Sequence, residues 1–170
     1  MSQPRVVLVG PMGAGKTTVA GLLAEAWSLP ARDTDHDVED TYGKSIADIF
    51  VDEGEGRFRA LEREAVRAGL ECSDCVLSLG GGAVLDPGTR RALAGHTVVF
   101  LRVGLSDAAK RVGIDVPRPL LLGNVRGTLK RLLDERAPVY QAVATFTVDT
   151  DGRSAEEVAA EVRRLVEGES

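Results

Sequence analysis

The stretch Gly10-Pro-Met-Gly-Ala-Gly-Lys-Thr17 decides the fold of this 170-residue chain. It matches the pattern G-x-x-x-x-G-K-[ST] at every fixed position, and its glycines let the backbone wrap closely around a phosphate group. The apolar run Val6–Val9 before it predicts a buried strand, and apolar positions spaced by three and four over Lys16–Trp27 predict a helix. A helix that follows such a turn directs unpaired N–H groups at a bound anion. We therefore predict a nucleoside triphosphate site, in which Lys16 reaches the β- and γ-phosphates and Thr17 ligates magnesium.

The composition limits what surrounds this site. The chain carries 21 Lys and Arg against 26 Asp and Glu, a net charge of −5, which argues against a nucleic-acid partner because such binding needs a basic surface. No apolar run approaches the roughly 20 residues that cross a bilayer, so we expect no membrane partner. The length suits one domain over residues 1–170. Two cysteines, Cys72 and Cys75, are too few for a disulfide scaffold, and we expect a reducing, cytoplasmic setting.

The rest of the chain alternates short β-branched runs with helical patterns, which predicts an α/β fold: a three-layer sandwich around a central parallel sheet. Further strands are predicted at residues 76–79, 97–101 and 146–148, and helices at roughly 55–70, 127–144 and 155–166. The last helix begins with a capping box, Ser154-Ala-Glu-Glu157. Residues 113–124 contain two prolines and two glycines, a composition typical of a loop, and we expect a mobile lid there.

A cluster of acids, Asp33-Thr-Asp35-His-Asp37, follows the first helix. In an extended backbone Asp33 and Asp35 point to one side, so one could hold magnesium through water while the other grips a hydroxyl-bearing acceptor. The acids are equally well explained as the N-terminus of a helix, where the macrodipole favours negative charge. The residues alone leave both interpretations open.

Arginines and glycines supply the remaining candidate groups. Arg57 and Arg59 lie on the predicted helix 55–70, where an arginine is usually only solvated. Gly80-Gly-Gly82 ends a predicted buried strand, on the sheet edge where open parallel sheets bind ligands. Pro119 constrains the backbone beside Arg118, so this arginine is presented from a loop and can reach a transferring phosphoryl group. Together with the phosphate loop, these features favour a compact phosphotransferase over a GTPase or a large motor ATPase.

With these motifs placed, the sequence resembles the shikimate kinases, in the nucleoside-monophosphate-kinase branch of P-loop proteins. The resemblance runs from Val6 to about Val166, and its motifs occur in a fixed order along the chain. They are residues 10–18, Asp33-Thr-Asp35, Phe58-Arg59, Gly80-Gly-Gly82, Arg118-Pro-Leu-Leu and Arg136-Ala-Pro-Val-Tyr140. The P-loop alone is shared by many functions, whereas the glycine triplet and the ordered arginines are far more specific.

The resemblance implies transfer of the ATP γ-phosphoryl group to the 3-hydroxyl of shikimate, with Mg2+, in the pathway to chorismate and aromatic amino acids. It implies an acceptor region at about residues 33–61, in which Asp35 holds the hydroxyl groups. The carboxylate would be bound by Arg59 and Arg136, and the acceptor site completed by the backbone of Gly80, Gly81 and Gly82. The phosphates would be held by Gly13, Ala14, Gly15, Lys16, Thr17 and Thr18. Magnesium would contact Thr17 directly and Asp33 through water, because Ser78 stands where many P-loop proteins carry a Walker-B aspartate.

The resemblance also assigns residues to the transition state and the nucleobase. Lys16 and Arg118 would stabilise the charge that develops on the transferring group, and Asp35 is the third catalytic candidate. Arg111 and Arg153 would lie on the adenine side. We expect a monomer whose partner is the small-molecule substrate.

Two alternatives remain at this stage. Another small-molecule kinase of the same branch, of the gluconate type, would share the phosphate loop, although two arginines favour a rigid carboxylate acceptor. A non-catalytic nucleotide-binding module would leave Arg118, Arg136 and the glycine triplet unexplained. The spacing of Cys72 and Cys75 resembles a redox or zinc motif, but it precedes a strand and has no second cysteine pair, which argues against both.

Overall fold

The computed structural model describes residues 3–112 and 125–168, without the side chains of residues 111, 112, 125 and 126. A parallel sheet of five strands runs through this part of the chain in the order β2-β3-β1-β4-β5. The strands are β1 Val6–Val9, β2 Ala31–Asp33, β3 Val76–Ser78, β4 Val98–Arg102 and β5 Phe146–Asp149. The α/β class and the central parallel sheet predicted from the sequence are confirmed.

Helices connect the strands, as parallel pairing requires. They are α1 Lys16–Trp27, α2 Thr34–Tyr42, α3 Ile46–Glu53, α4 Glu55–Leu70, α5 Pro87–Ala92, α6 Leu105–Val112, α7 Val125–Val143 and α8 Ala155–Gly168. A short 3-10 helix, Ala83–Leu85, follows the glycine triplet. The capping box at α8 forms as predicted, because the Ser154 and Glu157 side chains each accept the other residue's backbone N–H at 3.1 Å.

The sheet is buried on both faces, which explains its continuous apolar runs. On one face Val6, Leu8 and Leu101 pack into a cluster with residues of α1 and α8. On the other face Val7, Leu77 and Phe100 pack with residues of α4 and with the buried ring of Tyr140 from α7. Alternation along each strand thus divides the core into two layers and fixes which helices flank the carboxyl ends of β1, β2 and β3.

A third, smaller cluster lies beside the sheet. Val38 of α2, Ile49 of α3 and Phe58 of α4 are its buried residues, and the rings of Phe50 and Phe58 lie 5.0 Å apart. This cluster holds α2, α3 and α4 together as one unit. It places the start of α4, with Arg59, near the carboxyl ends of the strands.

Two details of the fold differ from the sequence predictions. β2 adds a fifth strand, which three residues of mixed polarity did not reveal. The backbone after Asp33 turns directly into α2, so Asp33 and Asp35 do not lie on one extended segment. The extended interpretation of the acidic cluster is therefore wrong, and the helix N-terminus interpretation is correct.

Candidate active site

The phosphate-binding loop between β1 and α1 is shaped by glycines with positive φ. Gly10, Gly13 and Gly15 have φ of +151°, +85° and +85°. A Cβ on Gly10 would lie 2.6 Å from the Leu101 carbonyl oxygen, so the loop can cross β4 here only without a side chain. Lys16 Nζ donates to two carbonyls of the loop, the nearer being Gly10 at 2.7 Å. The ammonium group therefore lies over the loop that the sequence predicts to hold phosphate.

A cavity of about 390 Å³ opens above this loop. Its lining contains nearly all the residues predicted for phosphate and magnesium. They are Met12, Gly13, Gly15, Lys16, Thr17, Thr18, Asp33, Asp35, Leu79, Gly80 and Gly81. Ala14 is buried beneath the loop. The cavity thus brings the phosphate loop, the acidic pair and the first two glycines of the triplet into one place.

Asp33 connects β2, α2 and the phosphate loop. Its Oδ1 accepts the backbone N–H groups of Asp35 and His36 at 2.9 and 3.3 Å, which caps α2. Its Oδ2 accepts the Thr17 hydroxyl at 3.2 Å. The two residues predicted to share a magnesium ion are therefore already in contact.

The donor set around Thr17 suits a magnesium ion. Hydroxyl and carboxylate oxygens are the ligands that Mg2+ prefers, and it usually keeps several waters. The Ser78 hydroxyl, buried on β3 opposite Asp33 in the strand register, has no hydrogen-bond partner in the described part of the chain. Ser78 and Asp33 line one cavity together with Thr17. An unpaired buried hydroxyl beside two oxygen ligands fits a hydrated cation.

Asp35 lies in the first turn of α2, largely buried. Its Oδ1 is fully buried, and among the described residues nothing hydrogen-bonds to it. Burial raises the pKa of Asp35 from 3.8 to about 6, with further contributions from the charges of Asp33 and Glu62, while Lys16 and Arg59 oppose the shift. The site therefore holds a carboxylate of unusually high proton affinity that faces both cavities.

A second cavity, of about 140 Å³, adjoins the first. Met12, Asp35 and Gly81 line both cavities, so these residues mark the junction. The rest of the second lining combines apolar and charged side chains. It consists of Ile46, Phe50, Phe58, Arg59, Glu62, Gly82 and Arg136.

The two arginines of this cavity are held in place by neighbouring groups. Arg59 Nη1 donates to Glu62 Oε1 at 2.8 Å, and Arg59 Nη2 lies 3.4 Å from Glu55 Oε2. Burial raises the pKa of Glu62, although the guanidinium groups of Arg59 and Arg136 oppose this. Arg136 is itself buried and contacts Tyr140. Two positive groups with fixed orientation are suited to a planar carboxylate.

The glycine triplet is required by the close approach of these side chains. A Cβ on Gly80 would collide with Asp35 Oδ1, and one on Gly82 would lie 2.7 Å from both terminal nitrogens of Arg59. The Gly80 N–H donates to the buried Thr34 hydroxyl at 3.0 Å. Over residues 3–112 and 125–168, the N–H groups of Gly81 and Gly82 form no hydrogen bond, so both are available to a ligand.

Some predicted residues are not brought to the site. Arg57 is half exposed and pairs with Glu53 at 3.8 Å. Arg153 pairs with Glu161 at 2.6 Å and also donates to the carbonyls of Asp149 and Glu157. The predicted lid at residues 113–124, with Arg118, and the side chain of Arg111 lie outside the described residues.

Three polar residues of the site were not predicted individually from the sequence. Glu62 lies three residues after Arg59 on α4, a helical spacing that could have identified it as a partner. Thr34 was hidden between the two aspartates, and its role depends on a contact across the sheet edge. Tyr140 was noticed only as part of a motif, and its contact with the Gly81 carbonyl depends on tertiary packing.

The fold and this geometry agree with comparisons to known proteins. The family model described as shikimate kinase matches residues 12–167. A shikimate kinase of Salinispora arenicola is 61% identical over 163 residues, covering 96% of this chain and 98% of the relative. One of Thermobifida fusca is 54% identical over 158 residues, covering 93% and 92%.

Solved structures are similar over the whole fold. A shikimate kinase from Acinetobacter baumannii in complex with shikimate is 35% identical with a TM-score of 0.94, covering 100% of this chain and 96% of that one. The shikimate kinase from Aquifex aeolicus is 31% identical with a TM-score of 0.81, covering 96% of each chain. These likenesses extend over the phosphate loop, the sheet and the second cavity, and the chain belongs to the shikimate kinase family.

Proposed function

We propose that this enzyme transfers the γ-phosphoryl group of ATP to the 3-hydroxyl of shikimate. The products are ADP and shikimate 3-phosphate, on the route to chorismate and the aromatic amino acids. The observation that carries the proposal is the junction of the two cavities at Asp35 and Gly81. One cavity has the glycines and lysine of a phosphate site, and the other has two arginines for a carboxylate.

The second cavity is the acceptor site. Arg59 and Arg136 bind the shikimate carboxylate, and the N–H groups of Gly81 and Gly82 are further donors on the same wall. Phe50 and Phe58 cover the apolar face of the ring. Because Glu62 neutralises part of the positive charge, the pocket selects one carboxylate rather than a phosphate of higher charge.

Asp35 accepts the hydrogen bond of the reacting hydroxyl group. Its unpaired, buried Oδ1 is the group that lacks a partner at the junction of the two cavities. A hydroxyl bound there is held for attack on the γ-phosphorus, which supplies the positioning on which phosphoryl transfer depends. The raised pKa makes Asp35 the side chain best suited to take the proton of that hydroxyl.

The phosphate loop supplies the remaining charge stabilisation. Residues 13–18 bind the phosphate oxygens through backbone N–H groups, and Lys16 follows the charge that moves towards the bridging oxygen. Thr17 and Asp33 hold Mg2+, directly and through water, with the Ser78 hydroxyl as a further partner of its hydration shell. When bound, Mg2+ neutralises charge on the β- and γ-phosphates.

The proposal keeps Arg118 as a transition-state donor from the lid, and Arg111 and Arg153 on the adenine side. It also assigns the enzyme to the cytoplasm, as a monomer that does not bind nucleic acid. None of the helices in the two described ranges is long and apolar enough to cross a membrane.

Acceptor-dependent release of ADP tests the reaction. With MgATP we expect rapid release with shikimate, and only background release with gluconate at the same concentration. Phosphorus NMR of the product should show a monoester coupled to the proton on carbon 3. Turnover with gluconate but not with shikimate would contradict the proposal.

A matched pair of arginine variants tests the acceptor pocket. Arg59→Lys loses the fork geometry for the carboxylate, and we expect a rise of about 10-fold or more in the shikimate KM, in keeping with the loss of a charge-assisted hydrogen bond. Arg57→Lys, on the same helix but outside the pocket, should change the KM less than twofold. Equal effects of the two substitutions would place the acceptor elsewhere.

A further inference from the structure

The peptide bond between Gly81 and Gly82 forms part of the acceptor wall, and it is free to flip on steric grounds. Gly82 has φ of −101° and ψ of 1°. Rotating this peptide by half a turn changes φ of residue 82 by a similar amount, to roughly +80°, a region that glycine alone enters without strain. The flipped peptide would present a carbonyl oxygen where the N–H now points.

Gly82 cannot be exchanged for a residue that forbids the flip. A Cβ there would lie 2.7 Å from Arg59 Nη1 and Nη2, so any side chain displaces the guanidinium group. The close approach of Arg59 thus requires glycine, and glycine leaves the peptide orientation undetermined. Another group must select it.

Tyr140 contacts this peptide from behind the wall. Its hydroxyl donates to the Gly81 carbonyl and accepts from Arg136, one helical turn earlier on α7. The ring is 1% exposed and stacks on Phe100 with centroids 5.1 Å apart, so the hydroxyl has little freedom to move. Burial raises the pKa of Tyr140 to about 12, and the phenol therefore remains a hydrogen-bond donor at neutral pH.

We propose that the Tyr140 hydroxyl is a positioning group for the acceptor site, because it locks the Gly81–Gly82 peptide in the orientation that serves an anion. In a trans peptide the C=O and N–H point in opposite directions, and the described chain has no cis bond. With the Gly81 carbonyl held on Tyr140, the Gly82 N–H points away from Tyr140, on the pocket side of the wall. This inference rests on the proposed acceptor site, since a carbonyl turned towards that site would repel a carboxylate.

Tyr140→Phe is the variant that tests this role, and Tyr42→Phe is its matched control. Both substitutions remove one hydroxyl and keep the ring, but Tyr42 bonds to Glu53 at the exposed junction of α2 and α3. For Tyr140→Phe we expect the shikimate dissociation constant, measured by calorimetry, to rise about 5- to 30-fold. The KM for ATP should stay within twofold of wild type. In Tyr42→Phe both constants should remain unchanged.

Amide NMR gives a readout that a merely structural role would not move. In Tyr140→Phe the signals of Gly81 and Gly82 should broaden or double, because the two peptide orientations exchange, while signals of the phosphate loop stay sharp. Unchanged glycine signals together with unchanged shikimate affinity would overturn the proposal. So would a loss of affinity with unchanged glycine signals.

Two backgrounds separate the possible causes. If Tyr140 acted only by orienting Arg136, adding Tyr140→Phe to Arg136→Lys would cause no further loss of shikimate affinity, and our proposal would be wrong. We expect a further loss of at least threefold. If Arg59→Lys leaves shikimate affinity unchanged, the proposed acceptor site fails, whereas a normal response to Arg59→Lys with none to Tyr140→Phe refutes only the positioning role.

Discussion

Asp35→Asn should make the protein more stable while it removes catalysis. Folding raises the pKa of Asp35 from 3.8 to about 6, so the folded state pays for an ionised carboxylate at neutral pH. A shift of about two units corresponds to at most about 3 kcal/mol at 1.36 kcal/mol per unit. Asp35 is partly solvated and lies at a favourable helix N-terminus, which asparagine exploits less, so we expect a net gain of about 1–2 kcal/mol. For a chain of this size that gain raises Tm by roughly 3–6 °C.

The pH dependence gives this prediction its sign. Between pH 4 and 6 the folded state binds more protons at Asp35 than the unfolded state, so the wild type loses stability relative to the variant as pH rises through that window. Thermal unfolding of both proteins at pH 4, 6 and 8 should show a Tm difference near zero at pH 4 and largest at pH 8.

Asp40→Asn is the control for this experiment, because Asp40 is a solvent-exposed acid on the same helix. It should leave Tm unchanged at every pH. A variant Asp35→Asn that is less stable than wild type at pH 8, or a Tm difference independent of pH, would refute the claim that the site holds Asp35 against a desolvation cost.

Three further substitutions test other parts of the site. Glu62→Gln removes the charge that orients Arg59, and we expect the shikimate KM to rise about fivefold in steady-state assays with little change in the KM for ATP; an equal rise in both would contradict this. Gly80→Ala drives a Cβ into Asp35 Oδ1, so kcat/KM should fall at least about 100-fold, whereas Gly21→Ala, in open space on α1, should keep full activity and add about 0.5–1 kcal/mol of stability in urea unfolding. Thr17→Val should raise the Mg2+ concentration needed for half-maximal turnover about 10-fold or more, and an unchanged requirement would exclude Thr17 as a ligand.

Much of the fold could be predicted because its long elements have strong periodicity. β1, α1 and α4 have the bounds that the sequence predicts, and the ends of β3, β4 and α7 differ by only one or two residues. β2 could not be predicted, because Ala31–Asp33 has no apolar pattern and becomes a strand only by pairing with β3. A three-residue edge strand depends on its neighbour rather than on its own sequence.

The site could be predicted where a residue acts through local geometry. The phosphate loop is a local motif, and the structure gathers its residues around one cavity. The acidic pair shows the limit, because Asp33 serves as a helix cap and a Thr17 partner at once, and residue spacing alone could not distinguish these roles from an extended arrangement. Contacts between distant segments, such as that of Tyr140 with Gly81, are visible only when the packing is known.

A crystal structure with shikimate and ADP tests the central claim most directly. We predict that the shikimate carboxylate lies between the guanidinium groups of Arg59 and Arg136, with its 3-hydroxyl within hydrogen-bond distance of Asp35 and facing the phosphate loop. Shikimate bound with its carboxylate towards Asp35, or outside the cavity lined by Arg59, Gly82 and Arg136, would contradict the account.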